Sequence, residues 1–177
     1  MSQDNDQAGG KYLARFMSMD DATWERHANP LSVWTRVITG LPVLLSAVWS
    51  IKLLGWWSLA TMAGALFWIW LNPRLFPRPR NTNNWASKVT FGERVWLHRS
   101  TRPIPGHHAQ WALFLSILTG MGFLLAGIGA FFNMSLPTMS GGLVSWVGKM
   151  WFCDRMVWLY EDMKDTDPEY SGWLRGK

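Results

Sequence analysis

Three segments of the chain combine charged, polar and aromatic side chains that could act on an anionic ligand. They begin at Trp24, Trp70 and Asp154. Arginine and lysine bind phosphate and carboxylate oxygens, and a carboxylate beside a histidine can transfer protons. The candidate residues, for an anionic-ligand site or for a structural layer of ion pairs, are Arg26, His27, Asn29, Arg36, Asn72, Arg74, Trp85, Lys88, Glu93, Arg94, Asp154, Arg155 and Glu161.

These residue types admit two interpretations. As structure, the acidic side chains pair with the basic ones and tie helix ends together. As a binding site, the basic side chains hold the headgroup of a phospholipid, a prenyl phosphate or a similar anionic amphiphile. The binding interpretation requires a common set of residues to converge, namely Arg26, His27, Arg74, Arg94 and Asp154.

The motifs of common enzyme classes are missing from the sequence. It contains no His-Glu-x-x-His, no P-loop, no Gly-x-Ser-x-Gly and no Cys-x-x-Cys. The four histidines are predicted near helix ends, which favours structural roles over haem or metal ligation. His107 and His108 with His98 are the alternative metal ligands. We therefore predict no cofactor and no metal, assign no catalytic residue, and favour a protein that is not an enzyme.

The composition indicates lipid rather than water around much of the chain. Of 177 residues, 49% are hydrophobic and 16% charged, against about 25% charged in ordinary soluble domains. The 14 tryptophans suit membrane interfaces, where one part of the ring is apolar and the other is wet. The net charge of +5 is distributed between the apolar segments, so we predict no nucleic-acid partner. The only cysteine, Cys153, excludes an intrachain disulfide.

Two long apolar tracts define the predicted spans. Residues 37–71 contain one charge, Lys52, and residues 109–148 contain none. A continuous helix over the first tract would be about 52 Å long, well beyond a hydrocarbon core of about 30 Å. Each tract should therefore fold back on itself. The predicted helices are Asn29-Pro30 to Ile51, Trp56 to Leu71, about Trp111 to Phe132, and about Pro137 to Leu159.

The fourth predicted helix contains an intramembrane charge, Lys149. Ionisable residues inside a span usually face a partner or a cavity. Lys149 could serve as a counter-ion or in a proton path, or it could snorkel to the interface from a shifted helix. Three spans and a partly interfacial helix are the alternative architecture.

The apolar tracts also contain small residues at four-residue spacing. Gly122, Ala126 and Ala130 lie on the third helix, and Ala60 and Gly64 on the second. Such spacing lets helix backbones approach closely in lipid. We expect packing within one chain, with a homodimer face as the alternative.

The distribution of lysine and arginine predicts the orientation. The segment up to Arg36 carries four of them, the 72–108 loop seven and the tail after Asp162 three, while the hairpin turns carry only Lys52. The positive-inside rule places both termini and the loop in the cytoplasm. The predicted organisation is a cytoplasmic N-terminal segment (1–28) with an interfacial helix, a first transmembrane hairpin (29–71), a basic cytoplasmic loop (72–108) with an interfacial helix, a second hairpin (109–159) and a cytoplasmic tail (160–177).

The two interfacial helices are predicted from short patterns. Thr90 and Glu93 have the spacing of a capping box, which would start a helix at the membrane surface. The other would use Leu13, Phe16 and Met17. The predicted fold is thus an all-α polytopic membrane bundle of about four transmembrane helices in two hairpins, with short interfacial helices.

The three polar segments together resemble a known family. They read Trp24-Glu25-Arg26-His27-Ala28-Asn29-Pro30-Leu31-Ser32-Val33-Trp34-Thr35-Arg36, then Trp70-Leu71-Asn72-Pro73-Arg74-Leu75-Phe76-Pro77, and Asp154-Arg155-Met156-Val157-Trp158-Leu159-Tyr160-Glu161-Asp162. These strings are similar to the signatures of an uncharacterised family of small multi-span membrane proteins from bacteria and archaea, described as a domain of unknown function. The resemblance implies a membrane protein and supplies no activity, cofactor or catalytic residue.

The sequence therefore favours a multi-pass cell-membrane protein whose partners are membrane lipids, with a membrane-protein partner or a second copy of the chain as further partners. We expect a non-enzymatic accessory or lipid-associated protein. The alternatives are a membrane enzyme or binding protein for an anionic lipid at the cytoplasmic face, and a small transporter or channel.

Overall fold

The computed structural model describes residues 20–176, and the predicted interfacial helix at Leu13, Phe16 and Met17 lies outside them. Helices account for 79% of the structure, with no strand among the described residues, which confirms the all-α class. The helices are α1 (Asp21–His27), α2 (Pro30–Thr35), α3 (Leu41–Trp49), α4 (Ile51–Leu54), α5 (Ser58–Leu75), α6 (Trp85–Leu97), α7 (Gly106–Phe131), α8 (Ser135–Met163) and α9 (Pro168–Ser171), with a π-helical turn at Arg36–Gly40 and a 3-10 turn at Gly55–Trp57.

The chain forms two compact units, and both draw on helices α7 and α8. Among the described residues, unit 1 comprises 20–33, 73–111 and 153–176, and unit 2 comprises 34–72 and 112–152. The division therefore differs from the linear order of hairpins and loops predicted from the sequence. Residues of the predicted basic loop and of the predicted tail belong to the same unit.

The first long helical segment begins as predicted and contains an irregularity that the sequence analysis missed. The Asn29 carboxamide oxygen accepts a hydrogen bond from the Leu31 amide at 2.9 Å, and Pro30 is the first helical residue. The π-helical turn ends just before Pro42. Proline lacks the amide hydrogen that a regular helix needs and clashes with the carbonyl four residues earlier, so a widened turn is a common accommodation.

The turn after α4 lies where the sequence predicts it. Gly55 has a φ of +54°, a conformation that residues with a Cβ rarely adopt. The following helix, α5, extends past the predicted end at Leu71 and includes Pro73. Because Pro73 lies in the last turn of α5, its missing amide hydrogen removes only one hydrogen bond near the helix end.

Helix α6 differs from its prediction in its start. Its cap is Asn84, whose side chain accepts a hydrogen bond from the Ser87 amide at 3.0 Å, so the capping box at Thr90 and Glu93 is wrong. Val89 and Val95 are buried, so α6 contributes to the core of unit 1. At about 3.6 residues per turn its buried residues lie on several sides of the helix rather than on one face. They are Ala86, Ser87, Val89, Thr90, Phe91, Gly92 and Val95.

Within unit 2, α7 and α8 pack through small residues. A Cβ built at Gly141 would lie 2.5 Å from the Ala126 amide nitrogen, and one at Gly122 would lie 2.6 Å from the Ser145 amide nitrogen. This close approach confirms packing within the chain for the third predicted helix. Ala60 and Gly64 of α5 are exposed instead.

The turn between α7 and α8 is a helix-capping motif. Asn133 has a φ of +58°, and the Met134 amide donates to the Gly129 carbonyl at 2.7 Å while the Asn133 amide donates to the Ala130 carbonyl at 3.2 Å. This pair of bonds is a Schellman motif, with asparagine in the left-handed position usually taken by glycine. Helix α7 ends at Phe131 and α8 begins at Ser135, close to the predicted end at about Phe132 and the predicted start at about Pro137.

Length and composition show which of these helices could cross a membrane. Within residues 20–176, the segments Pro30–Trp49 and Gly106–Phe131 are long and apolar enough to cross a bilayer. Helices α5 and α8 match the predicted second and fourth segments in position but contain more polar residues. The structure thus contains two helical segments that are compatible with a membrane location.

Candidate functional site

The first candidate residues join α1 to α6 in unit 1. The Ser87 hydroxyl donates to the Ala28 carbonyl at 2.7 Å, and the Thr90 hydroxyl donates to the His27 carbonyl at 3.3 Å. The buried His27 ring places Nε2 3.8 Å from a Glu93 carboxylate oxygen. These contacts fix α1 against α6, so His27 and Glu93 form a structural pair between two helices.

Arg94 lies at the centre of a second group of charges in unit 1. Its guanidinium is 2.5 Å from the Asp21 carboxylate and 3.5 Å from that of Glu169. The same guanidinium lies over the Trp173 ring, 4.5 Å from the centroid. Glu169 also pairs with Arg102 at 2.7 Å. The charges are therefore compensated by acidic and aromatic groups of the same unit.

Lys88 and Glu161 form a third group. The Lys88 ammonium lies 2.6 Å from one Glu161 carboxylate oxygen, and Lys164 lies 2.7 Å from the other. The hydrogen bonds from Lys164 and Lys88 lower the pKa of the Glu161 carboxyl, and the bond to Glu161 raises the pKa of Lys164. A carboxylate held charged between two ammonium groups is poorly suited to act as a general acid.

Asp154 and Arg155 are adjacent on α8 but have different partners. The Asp154 carboxylate accepts a hydrogen bond from the Trp85 indole at 3.2 Å. The Arg155 guanidinium lies 5.0 Å from the centroid of the Trp111 ring and 4.8 Å from that of Trp158. Stacking between two indoles stabilises an arginine in a half-buried site through cation–π contacts.

The remaining candidates are Arg26, Asn29, Arg36, Asn72 and Arg74. In unit 1, the Asn29 carboxamide donates to the Pro77 carbonyl at 2.8 Å, Arg26 is exposed and Arg74 half-buried. Arg36 and Asn72 belong to unit 2, where the Asn72 carboxamide donates to the Thr35 hydroxyl at 2.8 Å. Unit 1 therefore contains most of the candidate residues as separate pairs and small groups.

The convergence of Arg26, His27, Arg74, Arg94 and Asp154 around one ligand stays a prediction. Arg94 lines a cavity of unit 1 together with Trp24, Thr82 and Trp173, and the cavity measures about 10 Å³. Such a space holds about one water molecule. The ion pairs of Lys88 and Arg94 are the type of contact that the structural interpretation expects.

One group in unit 1 has the donor atoms of a metal site. His107, His108 and Asp162 each place one ligand atom within 4.8 Å of the others. His108 Nε2 and an Asp162 carboxylate oxygen already form a 2.8 Å hydrogen bond. The third residue of the group is Asp162, whereas the sequence predicts His98 as the third metal ligand. His98 is instead the C-terminal capping residue of α6. Three ligands are fewer than the four of a structural zinc site.

Unit 2 contains a larger cleft around Lys149. Its walls come from α3, α7 and α8. Its volume of about 420 Å³ is within the range of small-molecule sites. Leu44, Phe123 and Phe152 form apolar walls, and the Lys149 ammonium lies over the Phe152 ring, 4.6 Å from the centroid. The fully buried Ser145 also lines this cleft.

The comparisons with known proteins identify a family. A family model described as "Family of unknown function (DUF6653)" matches residues 10–173, nearly the whole chain. The chain belongs to this family. Neither the curated proteins nor the solved structures include a significant match. The DUF6653 match agrees with the resemblance to a domain of unknown function noted in the sequence, and it assigns no activity.

The C-terminal residues of this DUF6653 chain are the part that sequence reasoning missed. The described residues of the predicted tail (160–177) belong to unit 1, and its cytoplasmic location stays a prediction. Tyr170 is buried and its carbonyl accepts a hydrogen bond from the Tyr160 hydroxyl at 2.9 Å. Thr82 bonds to the Trp173 carbonyl and to the Arg175 backbone. The aromatic residues of the segment, Tyr170 and Trp173, were the available signal.

Proposed function

We propose that this DUF6653 protein is a non-enzymatic, lipid-associated integral membrane protein whose unit 2 lies in the bilayer. The observation that carries this proposal is the apolar surface of unit 2. Its described large hydrophobic side chains lie largely outside, with Leu53 89%, Trp56 87% and Leu136 79% exposed. Soluble monomers rarely expose large contiguous apolar surfaces.

The contrast with unit 1 supports the same proposal. The large hydrophobic side chains that are exposed in the described chain belong to unit 2, with the exception of Leu31, Leu75, Trp111 and Trp158. Unit 1 instead holds the ion pairs of Arg94, Lys88 and their partners. One unit thus has the surface expected for lipid, and the other has the surface expected for water and headgroups.

The interior of unit 2 also fits a bilayer. Apolar side chains gain little by packing together when the solvent is itself apolar, so membrane helices associate through small residues and close backbone contact. The pairs Gly141 with Ala126 and Gly122 with Ser145 provide this type of contact. Gly122 and Ala126 belong to α7, which is one of the two segments long and apolar enough to span.

The orientation follows from charge. The basic residues of the N-terminal segment, of the 72–108 loop and of the C-terminal segment place these parts on the cytoplasmic side by the positive-inside rule. The four predicted spans would then form two hairpins with external turns. In this arrangement the ion-pair layer of unit 1 is a cytoplasmic structural layer, and the protein serves as an accessory subunit or a lipid-binding component rather than as an enzyme.

Cysteine labelling in cells tests the proposal. Ser100 and Ser135 are both exposed, and the proposed topology puts residue 100 inside and residue 135 outside. An impermeant maleimide should label Ser135→Cys in intact cells and Ser100→Cys only in inverted vesicles. The native Cys153 is 1% exposed and provides the unlabelled background. Labelling of both variants in intact cells, or of neither in either preparation, would contradict the proposed orientation.

A further inference from the structure

We infer that the cleft of unit 2 binds the acidic headgroup of a single-chain amphiphile, with Lys149 as its charge partner. The inference rests on the proposed membrane location, because a lipid ligand reaches this cleft from the bilayer. It goes beyond that proposal by assigning a ligand class and the residues that recognise it.

Two hydroxyl groups at the cleft have unmet hydrogen-bonding capacity. The Ser145 and Thr119 hydroxyl oxygens are buried and have no hydrogen-bond partner in the structure, and Ser145 is fully buried. Ser116, which also lines the cleft, donates to the Ala112 carbonyl at 2.7 Å. Buried polar groups are normally paired, so the two unpaired hydroxyls indicate a ligand that accepts hydrogen bonds.

The charge at the cleft defines the headgroup. Among the residues that the structure describes, those that line the cleft include Lys149 and none with an acidic side chain. An ammonium group in a weakly polar environment favours an anionic ligand, and hydrogen bonds to charged groups are stronger than neutral ones. Carboxylate and phosphate both supply the anionic oxygens that Lys149, Ser145 and Thr119 would bind.

The apolar walls define the rest of the ligand. Leu44 comes from α3, Phe123 from α7 and Phe152 from α8, and they surround most of the cleft surface. A volume of about 420 Å³ exceeds what a bare ion needs and suits a headgroup with the first part of one hydrocarbon chain. A bare inorganic anion would leave these apolar walls without contact.

Gly120 provides a way to close the cleft without disturbing the helices. It lines the cleft, and a Cβ built there meets no atom within 4 Å. Gly127 lies two turns along the same helix, also with no atom within 4 Å of a built Cβ, and does not line the cleft. The pair Gly120→Leu and Gly127→Leu is therefore a matched blocking variant and control.

The test uses full-length protein purified from membranes in a neutral detergent. Radiolabelled oleate binding is measured by scintillation proximity, with oleyl phosphate and oleyl alcohol as competitors of equal chain length. We expect Lys149→Met to weaken oleate binding by about tenfold or more, since a charged hydrogen bond contributes that much. Gly120→Leu, which fills part of the cleft, should weaken it by about the same factor or more. Gly127→Leu should bind within about twofold of the wild-type protein, and oleyl alcohol should compete about tenfold less well than oleate.

The outcomes separate the possibilities. Stronger competition by oleyl phosphate would identify a phosphate headgroup, and weaker competition a carboxylate; both agree with an acidic headgroup. Equal competition by the alcohol, or binding that Gly120→Leu does not change, would overturn the inference. Melting curves of each variant show whether it is folded, and flotation of the same preparation with liposomes tests the membrane proposal separately.

Discussion

Gly92 of α6 lies directly against the backbone of α8, because a Cβ built at residue 92 would be 1.8 Å from the Met156 carbonyl oxygen. The contact sets the closest approach of two core helices in unit 1. Val95 of α6 and Met156 of α8 are both fully buried. The contact requires a residue without a side chain at position 92. The family match includes Gly92 and Met156.

Gly92→Ala should therefore destabilise the protein markedly. The added methyl group forces backbone atoms of α8 to move, and overpacking of this kind costs about 3 kcal/mol. Thermal unfolding followed by circular dichroism should show a Tm lower by roughly 6 to 12 °C. The control is Gly106→Ala, since no atom lies within 4 Å of a Cβ built there. Similar Tm values for the two variants would contradict the close packing of α6 on α8.

The α7–α8 contact in unit 2 predicts a second pair of opposite effects. In Gly141→Ala the new Cβ would lie 2.5 Å from the Ala126 amide nitrogen, so the helices must separate and Tm should fall. Gly127→Ala adds a methyl group in open space and improves helix propensity by up to about 1 kcal/mol, so Tm should be unchanged or higher. A rise in Tm for Gly141→Ala would exclude this packing.

Glu161 predicts part of the acid sensitivity of unit 1. Its pKa is lower in the folded protein than its ordinary value of 4.5. Its stabilising contribution is thus complete above about pH 4.5 and is lost as the pH falls through the lower folded pKa. Glu161→Gln should lower Tm at neutral pH and reduce the further fall in Tm between about pH 4.5 and pH 3. Parallel Tm profiles for the variant and the wild-type protein would contradict the Lys88–Glu161–Lys164 arrangement.

Cys153 should be unreactive in the folded protein. It is 1% exposed on α8, and thiol reagents need access to the sulfur atom. A small permeant maleimide should modify it slowly in native protein and completely in denaturant, as read by intact mass. Ser100→Cys, on an exposed residue, gives the rate of an accessible thiol. Equal rates for both cysteines would show that the Cys153 environment is open.

The sequence predicts the helices of this protein better than its polar contacts. The uncharged apolar tract predicts the position of α7. Asn29-Pro30 predicts a helix start, because helix capping depends on residues that are neighbours in sequence. Thr90 and Glu93 have capping-box spacing, yet Thr90 bonds to the distant His27 carbonyl. A local sequence pattern does not show when such a side chain forms its hydrogen bond with a residue far along the chain.

The candidate site shows the same limit. The charged residues of unit 1 were found from their types, but their pairing depends on partners far along the chain, such as Arg94 with Glu169. The packing of Tyr170 and Trp173 was missed because polar residues dominate the C-terminal segment. The cleft could not be predicted from the sequence, because three helices form its walls. Ser145 could not be singled out either, because only the structure shows that its hydroxyl lacks a hydrogen-bond partner.

Integration into the bilayer is the central claim, and alkaline carbonate extraction of membranes that contain the full-length protein tests it most directly. The exposed apolar surface of unit 2, with Leu53, Trp56 and Leu136, predicts that the protein stays in the membrane pellet and floats with liposomes after reconstitution. Release of folded protein into the carbonate supernatant, or failure to float, would contradict integration in the bilayer.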